Sequence, residues 1–196
     1  MLVLASASPR RQELLRNAAI AFTVQPANID ETPLAGESPR NYAERLAREK
    51  ALTIAKTCPQ DLVLGADTIV VVDETILGKP RDADDAARML RLLSGRTHEV
   101  ITAVCIAKPV RSELRTDNRQ LTTESESTRV TMTEISDDEI RSYIATGEPL
   151  DKAGAYAIQG IASRWIPRIE GDYSNVVGLP VALVYRLLRE NERNEV

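Results

Sequence analysis

The sequence predicts an α/β or α+β domain built around a mixed sheet and arranged in two lobes. Short apolar runs typical of strands alternate with amphipathic segments that begin at helix-capping residues, and some of the strand-like runs occur in hairpin-like pairs. A chain of 196 residues, 43% of them hydrophobic, can bury roughly 70% of its unfolded surface. We therefore expect residues 1–196 to form a single domain that needs neither a disulfide nor a metal to hold its core.

Capping and turn residues predict the elements of the first half of the chain. Serine followed by proline is typical of a helix start, because serine caps free N–H groups and proline fits the first helical position. Such pairs occur at Ser8-Pro9 and Ser38-Pro39, and the second helix should run to about Lys56. The other expected elements are a strand at 2–5, two strand segments within 62–80 with a turn near Asp73-Glu74, and a helix from Asp82 or Asp84 to Leu93.

The second half of the chain predicts further alternation of strands and helices. Residues 97–107 read as a strand buried on both faces, whereas 108–123 have few apolar residues and indicate a mobile surface excursion. A strand is expected at 127–135. The capping box of Ser136 and Glu139 then predicts a helix to Ile144, and a last helix is expected at 180–189.

Composition and charge exclude several function classes. The 25 Lys and Arg residues against 29 Asp and Glu give a net charge of −4, which argues against a nucleic-acid partner. His98 is the only histidine, and Cys58 and Cys105 form no metal-binding pattern, so a zinc site of the usual kind is not expected. No apolar run approaches the roughly 18 residues of a membrane span. The sequence thus predicts a soluble cytoplasmic protein without a membrane partner.

The first candidate functional segment is the helix start that carries Ser8, Arg10 and Arg11. Helix N-termini attract anions, and two arginines at this end oppose the helix dipole unless a bound anion compensates. This predicts an anion-binding helix start, with a solvated basic turn as the alternative.

Two further candidates are charged residues within apolar runs. Lys50 lies in register with Leu46 and Ile54, so its side chain either extends to solvent, which is the more common outcome, or points into a polar pocket. Asp67 interrupts an otherwise apolar strand, where an unpaired carboxylate is expensive to bury. Asp67 is therefore a candidate metal ligand or general base, with a turn or bulge aspartate beside Gly65 as the alternative.

Weaker signals come from Lys79, Glu31 and Gln159. Lys79 follows a strand and offers another cation. The pair Asp30-Glu31 reads as a loop cap or as the source of a second carboxylate for a divalent ion. Gln159 is expected at a strand end, where its amide is either solvated or able to read a base or ribose.

Several blocks of the sequence, in order, resemble the Maf-like nucleoside triphosphate pyrophosphatases. The blocks are LASASPRRQELL (4–15), YAERLAREKA (42–51), GADTIVVV (65–72), LGKP (77–80), LSGRTHEVITAV (93–104), YIATGEPLDKAGAYAIQG (143–160) and GDYSNVVGLP (171–180). The last two are most similar to the branch that hydrolyses dTTP and UTP. The resemblance covers nearly the whole chain.

The resemblance implies a role for each candidate residue. Asp67 matches the proton acceptor of the family, and a divalent cation, Mg²⁺ or Mn²⁺, is expected at Asp67 with Glu31. Substrate choice is implied for Arg10, Thr68 and Gln159, and Ser8, Arg11, Lys50 and Lys79 match polar and cationic residues of the cleft. An elongated sheet like that of the inosine-triphosphate pyrophosphatases, with two lobes around the cleft, is also implied.

The expected function is hydrolysis of dTTP and UTP, with modified pyrimidine nucleotides as further candidates, to the monophosphate and pyrophosphate. One alternative is a nucleotide-binding regulator of cell division or septum formation without significant turnover, and another is a pyrophosphatase for 7-methyl-GTP. The sequence leaves open whether the chain forms a homodimer. It departs from the family at Ala19, where glycine is common after the first helix; an alanine in the left-handed conformation there would cost about 1 kcal/mol.

Overall fold

A computed structural model describes residues 1–109 and 120–193. Within these residues the strands are β1 (Leu2–Leu4), β2 (Thr23–Val24), β3 (Leu62–Val72), β4 (Thr75–Leu77), β5 (Thr97–Ala107), β6 (Leu121–Thr131) and β7 (Arg168–Glu170). The α-helices are α1 (Pro9–Asn17), α2 (Pro39–Ala55), α3 (Ala83–Leu93), α4 (Asp137–Ala145), α5 (Tyr173–Val177) and α6 (Val181–Arg193). Short 3₁₀ helices occur at Glu148–Asp151, Ala153–Ala155 and Ile161–Trp165.

The chain divides into two compact units, the first of which comprises residues 1–67, 102–126 and 178–196. Here β1 lies between β2 and β3 and is parallel to both, with Val3 paired to Thr23 and Val63. Side chains from α1 and α6, among them Leu15 and Leu183, join those of β1, β3 and β5 in one apolar core. Helices therefore cover the sheet of this unit.

The second unit comprises residues 68–101 and 127–177. Its strands pair antiparallel: Val70 of β3 faces Leu77 of β4, and Val130 of β6 faces Ile169 of β7. The core of this unit joins these strands to residues of α3 and α4 such as Leu90 and Tyr143. Parallel pairs in one unit and antiparallel pairs in the other confirm the predicted α/β class with a mixed sheet.

The predicted helix starts are confirmed by their hydrogen bonds. The side chains of Ser8, Ser38 and Asp82 each accept a bond from the backbone N–H three residues further on. Ser136 does the same, and its backbone N–H is bonded in return by Glu139, which completes the predicted capping box. Each cap satisfies a backbone donor that the first helical turn would otherwise leave unpaired.

Two predicted turns carry residues in the left-handed region. Asp73 and Glu74, with φ of 46° and 61°, connect β3 to β4 where the hairpin turn is expected. Ala19 has a φ of 54°, so the strained helix end expected from the departure at this position is present.

Two predictions about elements are wrong in part. The expected excursion over 108–123 includes residues 110–119, which lie outside the described residues, but 121–123 belong to β6. The strand expected at 127–135 ends at Thr131. β6 is the neighbour of β5 in the sheet, and a bond of 3.0 Å from Lys108 N to Gln120 O lies next to this pair. Pairing with β5 supplies the backbone hydrogen bonds that make this polar segment a strand.

No helix among the residues that the structure describes has both the length and the apolar character needed to cross a membrane.

Candidate active site

The centre of the candidate site is Asp67 on β3. It follows the apolar residues 62–66 directly, and it is buried, with 7% of its surface exposed. Its Oδ1 accepts a hydrogen bond of 2.6 Å from Lys50 Nζ. Asp67 is thus a strand residue with a charged partner, and the alternative of a turn aspartate is wrong.

Lys50 is the partner that makes this burial tolerable. It lies in the middle of α2, is buried, and also forms an ion pair of 2.7 Å with Glu31 Oε1. Of the two expectations for this lysine, the polar pocket is confirmed and extension to solvent is wrong. One ammonium therefore bridges a buried carboxylate and the half-exposed carboxylate of Glu31.

Gly65 explains how α2 comes close enough for this pairing. A Cβ added at Gly65 would lie 2.2 Å from Ala47 O and 2.7 Å from Ala51 N, both in the α2 backbone. Only a residue without a side chain permits this approach of helix to strand. Since Lys50 lies between these two alanines, the glycine places the ammonium next to Asp67, two residues further along β3.

Arg11 brings a second positive charge to the site from α1. Its buried guanidinium donates from Nε to Gly178 O at 2.8 Å and from Nη1 to Ala66 O at 2.9 Å and Ser6 Oγ at 3.1 Å. These bonds tie the start of α1 to the residue before Asp67 and to the residues that precede α6. The side chain is thus fixed by protein acceptors, and its charge acts on Asp67 from a set position.

Burial is the largest influence on the pKa of Asp67 and on the pKa of Arg11. It raises the pKa of the Asp67 carboxyl above its ordinary value, and the charges of Lys50 and then Arg11 oppose that rise. It lowers the pKa of the Arg11 guanidinium, an effect that the charge of Asp67 opposes. A carboxylate that holds a proton more readily than ordinary aspartate is better suited to act as a general base near neutral pH.

The remaining predicted residues of the first unit lie at the start of α1 and in the segment before α2. Ser8 caps α1, and Arg10 is half-buried in a first turn that contains no acidic residue. Asp30 takes the role of a loop cap, since its Oδ1 accepts from Thr32 N at 2.9 Å. The backbone carbonyl of Glu31 accepts from Tyr42 Oη at 2.7 Å, which holds this residue against α2.

Three predicted residues lie in the second unit. Thr68 is half-buried and follows Asp67 on β3, and Lys79 is exposed between β4 and α3. Gln159 is exposed in a turn rather than at a strand end, so that prediction is wrong; residues 156–159 belong to no strand. Gln159 lines an open groove of about 500 Å³ together with residues such as Ile158, Ser163 and Tyr173.

The sequence did not point to Gly178 or to the pair of Tyr143 and Glu148. Gly178 takes part through its backbone carbonyl, and every residue type has that group. Tyr143 Oη donates to Glu148 Oε1 at 2.8 Å beside the turn that carries Gln159. All three residues lie in blocks that carry the family resemblance.

The groups available to a metal are carboxylates. Within residues 1–109 and 120–193, no three or more His, Cys, Asp or Glu side chains are grouped to hold a metal ion. Asp67 and Glu31, joined through Lys50, are the oxygen donors at this site. Mg²⁺ in nucleotide enzymes is commonly held by one or two carboxylates together with substrate phosphates, so this pair fits such an ion.

Matches to known proteins cover nearly the whole chain. A family model described as Maf-like protein matches residues 1–191. The dTTP/UTP pyrophosphatase of Koribacter versatilis (strain Ellin345) is 59% identical over 188 residues, which cover 96% of this chain and 93% of that protein. The dTTP/UTP pyrophosphatase of Syntrophomonas wolfei subsp. wolfei is 52% identical over 191 residues, 97% of each chain. Among solved structures, the Staphylococcus aureus Ham1 protein is similar with a TM-score of 0.48 at 11% identity, over 97% of this chain and 98% of that chain.

Proposed function

Since this chain belongs to the family of Maf-like proteins, we propose that it is a nucleoside triphosphate pyrophosphatase that hydrolyses dTTP and UTP to the monophosphate and pyrophosphate. The names of its relatives support the substrate, and the buried Asp67 carboxylate paired with Lys50 is the observation that carries the chemistry.

The proposed reaction is attack of water on the α-phosphorus. A bond forms between the water oxygen and this phosphorus, and the anhydride bond to the bridging oxygen breaks, so that pyrophosphate leaves with that oxygen. Asp67 accepts the proton of the attacking water and releases it to solvent afterwards. The raised pKa of Asp67 supports this role, because a general base works best when its pKa approaches the working pH.

Positive charge is needed as negative charge builds up on the departing pyrophosphate. Arg10, at the N-terminus of α1, is proposed to contact phosphate oxygens there together with Ser8 and the positive end of the helix. Arg11 supplies fixed charge, because its guanidinium is held by backbone carbonyls. We extend to Lys79 the phosphate-binding role that the family resemblance implies.

A divalent cation, Mg²⁺ or Mn²⁺, is proposed to be held by Asp67 and Glu31 with substrate oxygens. When bound, it would offset the negative charge of the phosphates. Lys50 holds both carboxylates at 2.6 and 2.7 Å, which keeps the two donors near one another. Glu31→Gln removes one of these donors, so we expect a higher Mg²⁺ concentration for half-maximal activity, by about tenfold.

Base choice is assigned to Gln159, with Arg10 and Thr68 as the further specificity residues that the resemblance implies. A primary amide carries both a donor and an acceptor. Uracil and thymine present the same ring N–H and neighbouring carbonyl, so one amide can serve both bases.

A nucleotide panel with product identification tests this function. The purified chain is incubated with Mg²⁺ and with UTP, dTTP, CTP, ATP, GTP and 7-methyl-GTP, and the products are separated by ion-exchange chromatography. We expect monophosphate and pyrophosphate from UTP and dTTP above all. In water labelled with heavy oxygen, the label should appear in the monophosphate, because the attack is on the α-phosphorus.

The controls separate the competing functions. Release of inorganic phosphate with a diphosphate would contradict the reaction, and preference for 7-methyl-GTP would contradict the substrate. Tight binding of UTP without any product would instead indicate a nucleotide-binding regulator. Asp67→Asn, purified in the same way, reports any contaminating phosphatase.

A further inference from the structure

The turn that carries Gln159 is held by hydrogen bonds on both sides. Residues 157–160 form a tight turn, closed by a bond of 3.0 Å from Gly160 N to Ala157 O. The N–H of Ala157 donates to Tyr143 Oη at 3.3 Å, and the N–H of Ile161 donates to Glu148 Oε1 at 3.0 Å. The backbone before and after Gln159 is thus tied to two side chains from another segment.

Those two side chains are themselves joined. Tyr143 Oη donates to Glu148 Oε1 at 2.8 Å, so a continuous chain of hydrogen bonds runs from Ala157 through Tyr143 and Glu148 to Ile161. The ring of Tyr143 is fully buried and packs edge-on against Trp165, with 5.4 Å between ring centroids. Lys152 Nζ also donates to Glu148 O at 2.6 Å. These contacts fix Tyr143 and Glu148, the two side chains that anchor the exposed turn.

Gly160 shows how closely the turn is fitted to this anchor. A Cβ at this position would lie 2.2 Å from Glu148 Oε1 and 2.6 Å from Glu148 Cδ. The absence of a side chain lets the carboxylate reach the N–H of Ile161. Gln159, next to this contact, is exposed and faces the groove that Tyr173 also lines.

We propose that Tyr143 and Glu148 are positioning residues for base selection, acting through the turn that presents Gln159. This rests on the proposed function, in which Gln159 reads the base. Cytosine presents a ring acceptor and an amino donor where uracil presents a ring donor and a carbonyl. Discrimination by hydrogen bonds requires the side chain that contacts the base to be held to within about 0.5 Å. A loosened turn no longer meets that requirement.

The test is the ratio of kcat/KM for UTP to kcat/KM for CTP in matched variants. Tyr143→Phe keeps the buried ring but removes the hydroxyl, and Glu148→Ala removes the carboxylate. Each should lower the ratio about fivefold to tenfold, the value of a net hydrogen bond in a binding site. Glu148→Gln keeps an oxygen acceptor for Tyr143 and Ile161, so it should restore most of the ratio. Ser142→Ala removes a neighbouring hydroxyl of α4 that donates to Asp138 O of its own helix, and the ratio should not change.

Two further measurements separate positioning from general destabilisation. In a Gln159→Ala background, Glu148→Ala should no longer change the ratio, because the residue through which it acts is gone. Amide hydrogen exchange without nucleotide should be faster at Ala157 in Tyr143→Phe and at Ile161 in Glu148→Ala.

The outcomes distinguish this inference from the function on which it rests. An unchanged UTP-to-CTP ratio in both single variants overturns the inference and leaves the function standing. The same is true if Glu148→Ala lowers the ratio equally with and without Gln159. Absence of hydrolysis of UTP by the unmodified chain overturns the function and the inference together.

Discussion

Each compact unit buries a hydrogen-bonded pair of titratable side chains, and the two pairs differ in charge. In the first unit Lys50 Nζ and Asp67 Oδ1 form an ion pair of 2.6 Å. In the second, His98 Nε2 lies 2.8 Å from Tyr156 Oη, and burial lowers the pKa of His98 to about 4, so this pair is neutral at pH 7.

The difference shows two solutions to the same physical problem. Burial opposes charge in both places. In the second unit burial keeps His98 neutral, so its buried pair with Tyr156 is polar but uncharged. The first unit surrounds Asp67 with Lys50 and Arg11, whose charges oppose the rise in pKa that burial causes; this arrangement is costly for folding alone and suited to chemistry.

The largest expected effect comes from removing the charge of Asp67. Asp67→Asn should lower kcat for UTP about a thousandfold, because general-base catalysis is lost. The free energy of unfolding at pH 7 should change little, because burial disfavours the carboxylate that is removed and Lys50 keeps its ion pair with Glu31. Steady-state kinetics and urea unfolding check the two parts. Near-normal turnover, or marked destabilisation, would contradict the distinction between the two pairs.

A somewhat smaller effect is expected from Lys50→Met. Without the ammonium that favours the ionised form, the pKa of Asp67 rises further and less carboxylate is present at neutral pH. The turnover at pH 7 should fall about a hundredfold, and the acid limb of the kcat–pH profile should move to higher pH. Lys56→Met is the matched control, because Lys56 is exposed at the end of the same helix. A drop in turnover with an unmoved acid limb would assign Lys50 to another role.

Displacing α2 should disturb the charged pair through the backbone. In Gly65→Ala the new Cβ meets Ala47 O and Ala51 N, so α2 must shift, and we expect a loss of about 3 kcal/mol in the free energy of unfolding. Gly78→Ala is the control, because no atom of residues 1–109 and 120–193 comes within 4 Å of a Cβ built at Gly78, apart from the glycine itself and its chain neighbours. Equal stabilities of the two variants in urea would show that the close approach of α2 is dispensable.

The neutral pair predicts a pH dependence of stability. The pKa of His98 is lowered from 6.5 to about 4 on folding, so the unfolded chain binds a proton that the folded chain does not. The stabilisation that comes from keeping His98 neutral is present above pH 6.5 and is lost as the pH falls towards 4. Between pH 7 and pH 5 the free energy of unfolding should fall by roughly 2 kcal/mol for this reason. His98→Gln should remove this part of the slope. Asp67, with a raised pKa, contributes a slope of opposite sign in both proteins, so the difference between the two urea series isolates His98.

The local parts of this fold could be predicted from the sequence. A helix cap depends on residues three apart, so Ser8, Ser38 and Ser136 identified their helices without knowledge of the rest. The start of β6 could not be found in this way, because its polar residues form a strand only by pairing with β5. The turn at Gln159 likewise depends on Tyr143 and Glu148, which the chain brings there from α4 and the segment after it.

The same distinction between local signals and contacts of distant segments holds for the candidate site. Asp67 and Lys50 were identifiable because a charge within an apolar run requires a partner. That they are each other's partner depends on the packing of α2 on β3, which Gly65 permits. The inward orientation of Arg11 was not identifiable, since its acceptors include the carbonyls of Ala66 and Gly178, and any residue type carries a carbonyl.

Ala19, the left-handed residue after α1, is a position at which the stability of this chain can be raised without changing a predicted site residue. Ala19→Gly relieves a strain of about 1 kcal/mol, partly offset by the greater freedom of glycine in the unfolded state, so we expect a net gain of roughly 0.5 kcal/mol in urea. A parent of higher stability tolerates more damaging substitutions before it fails to fold. Ala19→Gly is therefore a useful first step for laboratory evolution of substrate choice in this protein.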